Sequence, residues 1–122
     1  MEAVSEGELG LEPKTLVPQS GKWAGQSCPG LVLHLTDREL YRPVFWGLLF
    51  LRCIKDMHPK DFQWQTYPTQ VNPRGENHLD KLLGQAHTQD WFELPMPQFL
   101  QTISAQTRCT DWPQALLPYL LY

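Results

Sequence analysis

Residues 30–57 read GLVLHLTDRELYRPVFWGLLFLRCIKDM, and the fold turns on where the pattern inside this stretch changes. Leu31, Leu33 and Leu35 alternate with Val32, His34 and Thr36, the period of a strand whose two faces differ. One face is wholly leucine and is expected to be buried; the other carries His34. From Thr36-Asp37-Arg38-Glu39 the signal becomes that of a helix start, a capping box with Thr36 as N-cap and Glu39 reaching back. Proline sits comfortably only in the first turn of a helix, so either a short turn precedes Pro43 or the helix is kinked there. The main helix is expected over Pro43–Met57, ended by His58-Pro59, because the residue before a proline avoids the α region.

Outward from this stretch the elements are shorter. An earlier strand around Lys14–Val17, bracketed by Pro13 and Pro18, would pair with the leucine strand, with Gly21, Gly25 and Gly30 punctuating the approach. Downstream, Phe62-Gln63-Trp64-Gln65 alternates like a short strand, and residues 66–77 read as a loop. His78–Leu83 reads as a short helix stopped by Gly84. Residues 85–97 read as irregular, Gln98–Gln106 as a helix, and Trp112–Tyr122 as a final helix or an extended apolar tail. The expected class is α+β: a small single domain of short antiparallel strands packed against one main helix and several short helices.

The chain has 122 residues, one domain's worth. Glu2, Glu6, Glu8 and Glu12 occupy a start without Lys or Arg, so residues 1–12 are expected as a flexible acidic lead and 13–122 as the folded domain. Pro is abundant, 11 residues, which favours short elements and long loops. A net charge of -3 shows no basic excess, so neither nucleic acid nor an anionic membrane is expected as a partner. The longest apolar stretch, Pro43–Leu51, is nine residues, against the about 18 to 20 that span a bilayer. Residues 1–10 contain acids and no apolar run, unlike a signal peptide, so the chain as it stands is expected in the cytoplasm. Three cysteines, Cys28, Cys53 and Cys109, are an odd and widely spaced set, and reduced thiols are the default.

Few patterns point to catalysis. His34, His58, His78 and His87 show no His-x-x-x-His spacing, and the cysteines no Cys-x-x-Cys, so no metal is expected. Cys28 and His34, six residues apart on one strand, would stand about 20 Å apart, too far for a nucleophile and its base without a sharp turn. Glu76 with Asp80, and Asp90 with Glu93, have helical spacing, but in polar segments a solvated face is the ordinary explanation. No phosphate-cradling Gly loop occurs, and no cofactor is expected. The aromatic residues are more suggestive, because amphipathic rings suit sugar faces and protein interfaces. Trp23 lies in a Gly-rich turn beside Lys22, whereas Trp46 and Trp64 read as core. The run Val44–Leu51 has no polar stripe, and a helix apolar all round must be covered all round, so another domain or a partner chain is expected over that face.

The block Val17–Asp37, then Arg42-Pro43, Gly47, Pro59–Trp64, Leu79–Gly84 and the closing Tyr119-Leu120-Leu121-Tyr122 together resemble, in that order, the C-terminal portion of the bacterial exo-β-N-acetylmuramidase family. The pattern there is a Lys-aromatic-x-Gly-x-x-Cys-x-Gly turn, a strand ending His-x-Thr-Asp, Arg-Pro near a helix start, Phe-x-Trp, an Asp-x-Leu-x-Gly helix and a terminal Tyr-Leu-Leu-Tyr. The match covers about residues 13–84 and 112–122. The resemblance implies an auxiliary domain of a two-domain hydrolase acting on peptidoglycan fragments, with the substrate cleft near the domain junction. It implies substrate-binding roles for Trp23, His34 and Arg42 and supplies no catalytic residue, since nothing here resembles the family's catalytic N-terminal domain. The first expectation is therefore an accessory domain or fragment of a peptidoglycan-acting glycoside hydrolase. The alternative is a stand-alone, non-enzymatic module that binds glycan or protein.

Overall fold

The structure, a computed structural model, describes residues 9–121. The chain divides into two compact units, Met1–Arg42 and Pro43–Tyr122. Its two antiparallel strands and four α-helices among the described residues are those of an α+β protein.

The first unit is a hairpin. Strand β1, Leu9–Leu16, runs antiparallel to β2, Cys28–Leu35. The register sets Leu9 opposite Leu35, Leu11 opposite Leu33 and Pro13 opposite Leu31, so these six apolar residues share one face. Gly10, Glu12 and Lys14 share the other face with Gly30, Val32 and His34. The strand begins at Leu9, so Leu9–Glu12, expected within the acidic lead, belong to the hairpin; the lead's residues 1–8 lie outside the described residues. The leucine face is not buried: Leu31, Leu33 and Leu35 are 40% to 50% exposed. A two-stranded sheet has no second layer of its own to cover such a face.

Two turns flank β2. In residues 18–26, Gly25 donates its N–H to the Pro18 carbonyl at 2.9 Å, Ala24 to Gly21 at 3.2 Å and Gln26 to Trp23 at 3.1 Å. After β2, the cap expected at Thr36 is found one residue on. The Asp37 carboxylate accepts the N–H of Glu39 at 2.8 Å and of Leu40 at 3.3 Å. The short turn thus closes at Tyr41, whose N–H meets the Asp37 carbonyl at 3.2 Å, and a new helix starts at Pro43.

The second unit is helical. Helix α1, Pro43–Met57, is followed by α2, His78–Leu83, a 3₁₀ turn at Thr88–Glu93, α3, Met96–Gln106, and α4, Trp112–Leu116. The core consists of Trp46, Leu48 and Leu49 from α1, Phe92 from the 3₁₀ turn, and Phe99 and Ile103 from α3. Phe92, Phe99 and Ile103 are fully buried, each contributing roughly 1.5 to 3 kcal/mol by leaving water. Phe92 packs on Phe99 at 5.1 Å between ring centroids. Within the apolar run of α1, only Val44 and Gly47 are exposed; Phe45, Phe50 and Leu51 are half-buried. Trp46 is therefore a core residue, not a docking surface.

Phe62–Gln65 forms no strand. The alternation is real, with Phe62 and Trp64 half-buried and Gln63 and Gln65 exposed, but no neighbouring strand pairs with it. Phe62 packs edge-on to Trp64 at 5.1 Å, and Trp64 edge-on to Phe92 at 5.2 Å. The following loop is tightly bonded. Asn72, buried, gives its side-chain N–H to the Glu76 carbonyl at 3.0 Å. Tyr67 N–H meets the Gly75 carbonyl at 2.9 Å, and Gly75 N–H the Asn72 carbonyl at 2.9 Å. Gly75 has φ +69°, and a Cβ there would lie 2.4 Å from Pro68 N and 2.5 Å from the Tyr67 carbonyl carbon. Only glycine fits that approach.

Candidate functional site

The three residues expected to bind substrate all lie in the hairpin unit, but at different places along it. Trp23 is at the crown of the turn joining β1 to β2, 53% exposed, with Lys22 Nζ 5.0 Å from its ring centroid. His34 stands near the other end of β2, opposite Gly10, and its Nε2 lies 2.7 Å from Glu12 Oε2 on the same face. Six residues of strand, about 20 Å, separate His34 from Cys28 at the Trp23 end. The pair Cys28–His34 therefore makes no dyad, and the Cys28 thiol turns instead to the Gln26 carbonyl at 3.6 Å. Arg42 is half-buried at the last position before α1. Strand spacing thus keeps Trp23 apart from His34.

Two charged groups of the helical unit are structural. Asp80, read from spacing as part of a solvated face, is a clamp. Its carboxylate accepts the N–H of His87 at 2.9 Å, the N–H of Thr88 at 2.9 Å and the Thr88 hydroxyl at 2.5 Å. The Thr88 hydroxyl foremost, with the two backbone donors, holds its carboxyl below the ordinary value of 3.8 despite the opposing effect of burial. This fastens α2 to the start of the 3₁₀ turn. Arg52 is buried on α1: its Nε bonds both Asp56 oxygens at 2.9 and 2.8 Å, an Nη bonds the Leu94 carbonyl at 2.8 Å, and its guanidinium lies 5.1 Å from the Phe99 centroid.

The helical unit also holds a groove of two adjoining recesses that share Trp64, Gln65 and Gln89. One, about 190 Å³, is completed by Thr66, Gly75, Glu76 and Asn77. The other, about 240 Å³, is completed by Tyr67, His78, Leu79 and Leu82. Tyr67 and His78 rings lie 4.7 Å apart, and His78 Nδ1 is buried with no hydrogen-bond partner among the described residues. A separate recess of about 230 Å³ is edged by Val44, Leu83, Trp91, Arg108 and Cys109. The Trp64 groove escaped sequence reasoning because Trp64 read as core and Gln65 as strand. Of the amides near Trp64 in sequence, Gln65 and Asn77 line the groove, while Asn72 is buried and holds the turn.

No group of three or more His, Cys, Asp or Glu among the described residues is placed to hold a metal ion. Cys28, Cys53 and Cys109 are free thiols. No helix of the described residues is long and apolar enough to cross a membrane.

Comparison with known proteins adds a relationship. Residues 1–122 match the family model described as exo-beta-N-acetylmuramidase NamZ, C-terminal. The peptidoglycan beta-N-acetylmuramidase NamZ of Bacillus subtilis (strain 168) is 34% identical over 50 residues, 41% of this chain and 12% of that relative. The chain thus aligns with only a small part of its length. No solved structure matches.

Proposed function

This chain belongs to the exo-β-N-acetylmuramidase C-terminal domain family, and from that premise we propose that it is an accessory domain that docks on a catalytic domain and helps it hold peptidoglycan fragments. The observation that supports docking is the exposed leucine face of the hairpin, made by Leu11, Leu31, Leu33 and Leu35 with Leu9 and Pro13. Apolar faces left open on a small domain mark interaction surfaces. In the helical unit, Val44 at the start of α1 is also exposed. In this proposal the auxiliary domain, expected over 13–122, begins at Leu9, and of the three candidate substrate contacts Trp23 and Arg42 are offered to the cleft of the complex, while His34, on the hairpin face opposite the docking leucines, would meet a fragment only from the uncovered side. The proposed substrate is a peptidoglycan fragment, in line with the printed name of the Bacillus subtilis relative. A cytoplasmic location is a proposal of the same kind, checked by cell fractionation.

The test is co-expression with a catalytic domain of the family. A stable complex that raises muramidase activity, and that Leu33→Asp disrupts while the chain stays folded, is the expected result. No complex and no gain in activity would sink the docking proposal. Release of muramic acid by the isolated chain would overturn it in favour of a self-contained enzyme. The alternative, a stand-alone binding module, draws support from the solvent-exposed Trp23 beside Lys22 and predicts ligand binding with no catalytic partner present.

A further inference from the structure

We propose that the groove around Trp64 is a binding site for an uncharged sugar of two pyranose rings. A pyranose ring presents a face of C–H bonds and a rim of hydroxyls that both donate and accept. An aromatic face suits the first, and carboxamides, which also donate and accept, suit the second. The groove supplies both. Trp64, Tyr67 and His78 are its aromatic residues, and Gln65, Asn77 and Gln89 its amides.

Three further observations favour this occupant. The groove is two recesses of about 190 and 240 Å³ meeting at one tryptophan, so two consecutive rings would sit on either side of Trp64. Among the described lining residues the only formal charge is the Glu76 carboxylate, which pairs with Arg74 Nε at 3.6 Å; no Lys or Arg lines the groove itself, so a neutral sugar fits and an acidic one finds no cation dedicated to it. The walls are also held in place before any ligand arrives. Trp64 is wedged edge-on between Phe62 and Phe92, Tyr67 is tied to Gly75, and Asn77 sits at the groove in a left-handed conformation, φ 50°. Strained backbone of that kind gathers at ligand sites, and a preset wall reduces the ordering that binding requires.

The site belongs to this chain alone and stands whether or not a catalytic domain docks on the hairpin. The test is titration of the isolated full chain with N,N′-diacetylchitobiose and, separately, with the acidic disaccharide N-acetylglucosaminyl-N-acetylmuramic acid, followed by the NMR signals of the Trp64 indole N–H and the Gln65 and Gln89 side-chain amides. Saturable shifts of these signals with the neutral disaccharide, and binding about tenfold weaker or worse for the carboxylated sugar, are expected. Because Trp64 packs on Phe92, its removal endangers the fold, so the informative variant is Gln65→Ala with Gln89→Ala. That variant should keep its spectrum and lose about tenfold or more in affinity, the loss of one or two hydrogen bonds. Absence of shifts, shifts confined to the Trp23 indole, equal binding of both sugars, or undiminished binding by the double variant would each overturn the proposal. None of these outcomes bears on complex formation through the leucine face.

Discussion

Two glycines with nearly the same backbone angle offer an internally controlled experiment. Gly75 has φ +69° and Gly84 φ +68°, so alanine at either meets the same intrinsic left-handed penalty, about 1 to 2 kcal/mol. Their surroundings differ. A Cβ at Gly84 meets nothing within 4 Å, while one at Gly75 would lie 2.4 Å from Pro68 N and 2.6 Å from Tyr67 N. These are backbone atoms and cannot swing aside as the end of a side chain could. Relief requires opening the turn, which breaks the Tyr67–Gly75 and Gly75–Asn72 hydrogen bonds, both 2.9 Å. At about 1 kcal/mol each, these raise the expected cost of Gly75→Ala to about 3 to 4 kcal/mol. Gly84→Ala stays at about 1 to 2 kcal/mol. Urea denaturation of the two variants beside the parent chain reads the difference, about 2 kcal/mol or roughly 10 °C in Tm for a domain of this size. If the two variants fall within about 0.5 kcal/mol of each other, the claim that backbone contact at Gly75 locks the 67–75 turn is wrong.

The Asp80 clamp predicts acid sensitivity with a definite sign. Its folded pKa lies below the ordinary 3.8, so its contribution is complete above that value and is lost as pH falls through the folded pKa. Asp80→Asn should cost about 1.5 to 3 kcal/mol at pH 7 and progressively less as pH falls through the folded pKa, read by denaturation midpoints across the acid range. Arg52→Met strips the partner from the Leu94 carbonyl and is expected to cost about 2 to 3 kcal/mol; Arg52→Lys should rescue little of it, because an ammonium cannot reproduce the forked contact, and parallel urea curves check both. The His34–Glu12 pair, with both side chains more than half exposed, is expected to matter little: Glu12→Gln should change stability by less than about 1 kcal/mol in the same assay.

Periodicity carried the local outline of this chain. Alternating leucines located β2, and Pro43 with His58-Pro59 marked the ends of α1 at Pro43 and Met57. Gly84 marked the end of α2, where it caps with φ +68°. These features depend on neighbours a few residues away. What depends on distant partners was hidden. Nothing near Arg52 in sequence shows that the Leu94 carbonyl, 42 residues on, draws it into the core. Asp80 looked solvated until His87 and Thr88 folded back onto it. Phe62–Gln65 alternates because one side faces Phe92, a reason that has nothing to do with strand pairing. The Trp64 groove is assembled from residues 64 to 89 across two turns, so no local window contains it. Of the residues expected at a site, the turn around Trp23 and the strand carrying His34 were legible; their separation along the hairpin follows from strand rise.

The hairpin has a further consequence for how anything can cover it. Both of its strands are edges, and each open edge is a place where a foreign strand could add itself. Pro13 in one strand and Pro29 in the other each leave a backbone donor missing, and Glu12 and Lys14 place charge beside them. Prolines and charges on edges are the means by which proteins discourage such strand addition. The surface is therefore adhesive across its face and blunt along its rims. A partner that extends the sheet sideways meets a damaged ladder, while one that lays a helix or a second sheet flat over Leu11, Leu31 and Leu33 meets none. The hairpin thus favours a layer laid flat over its face above a strand added along its rim.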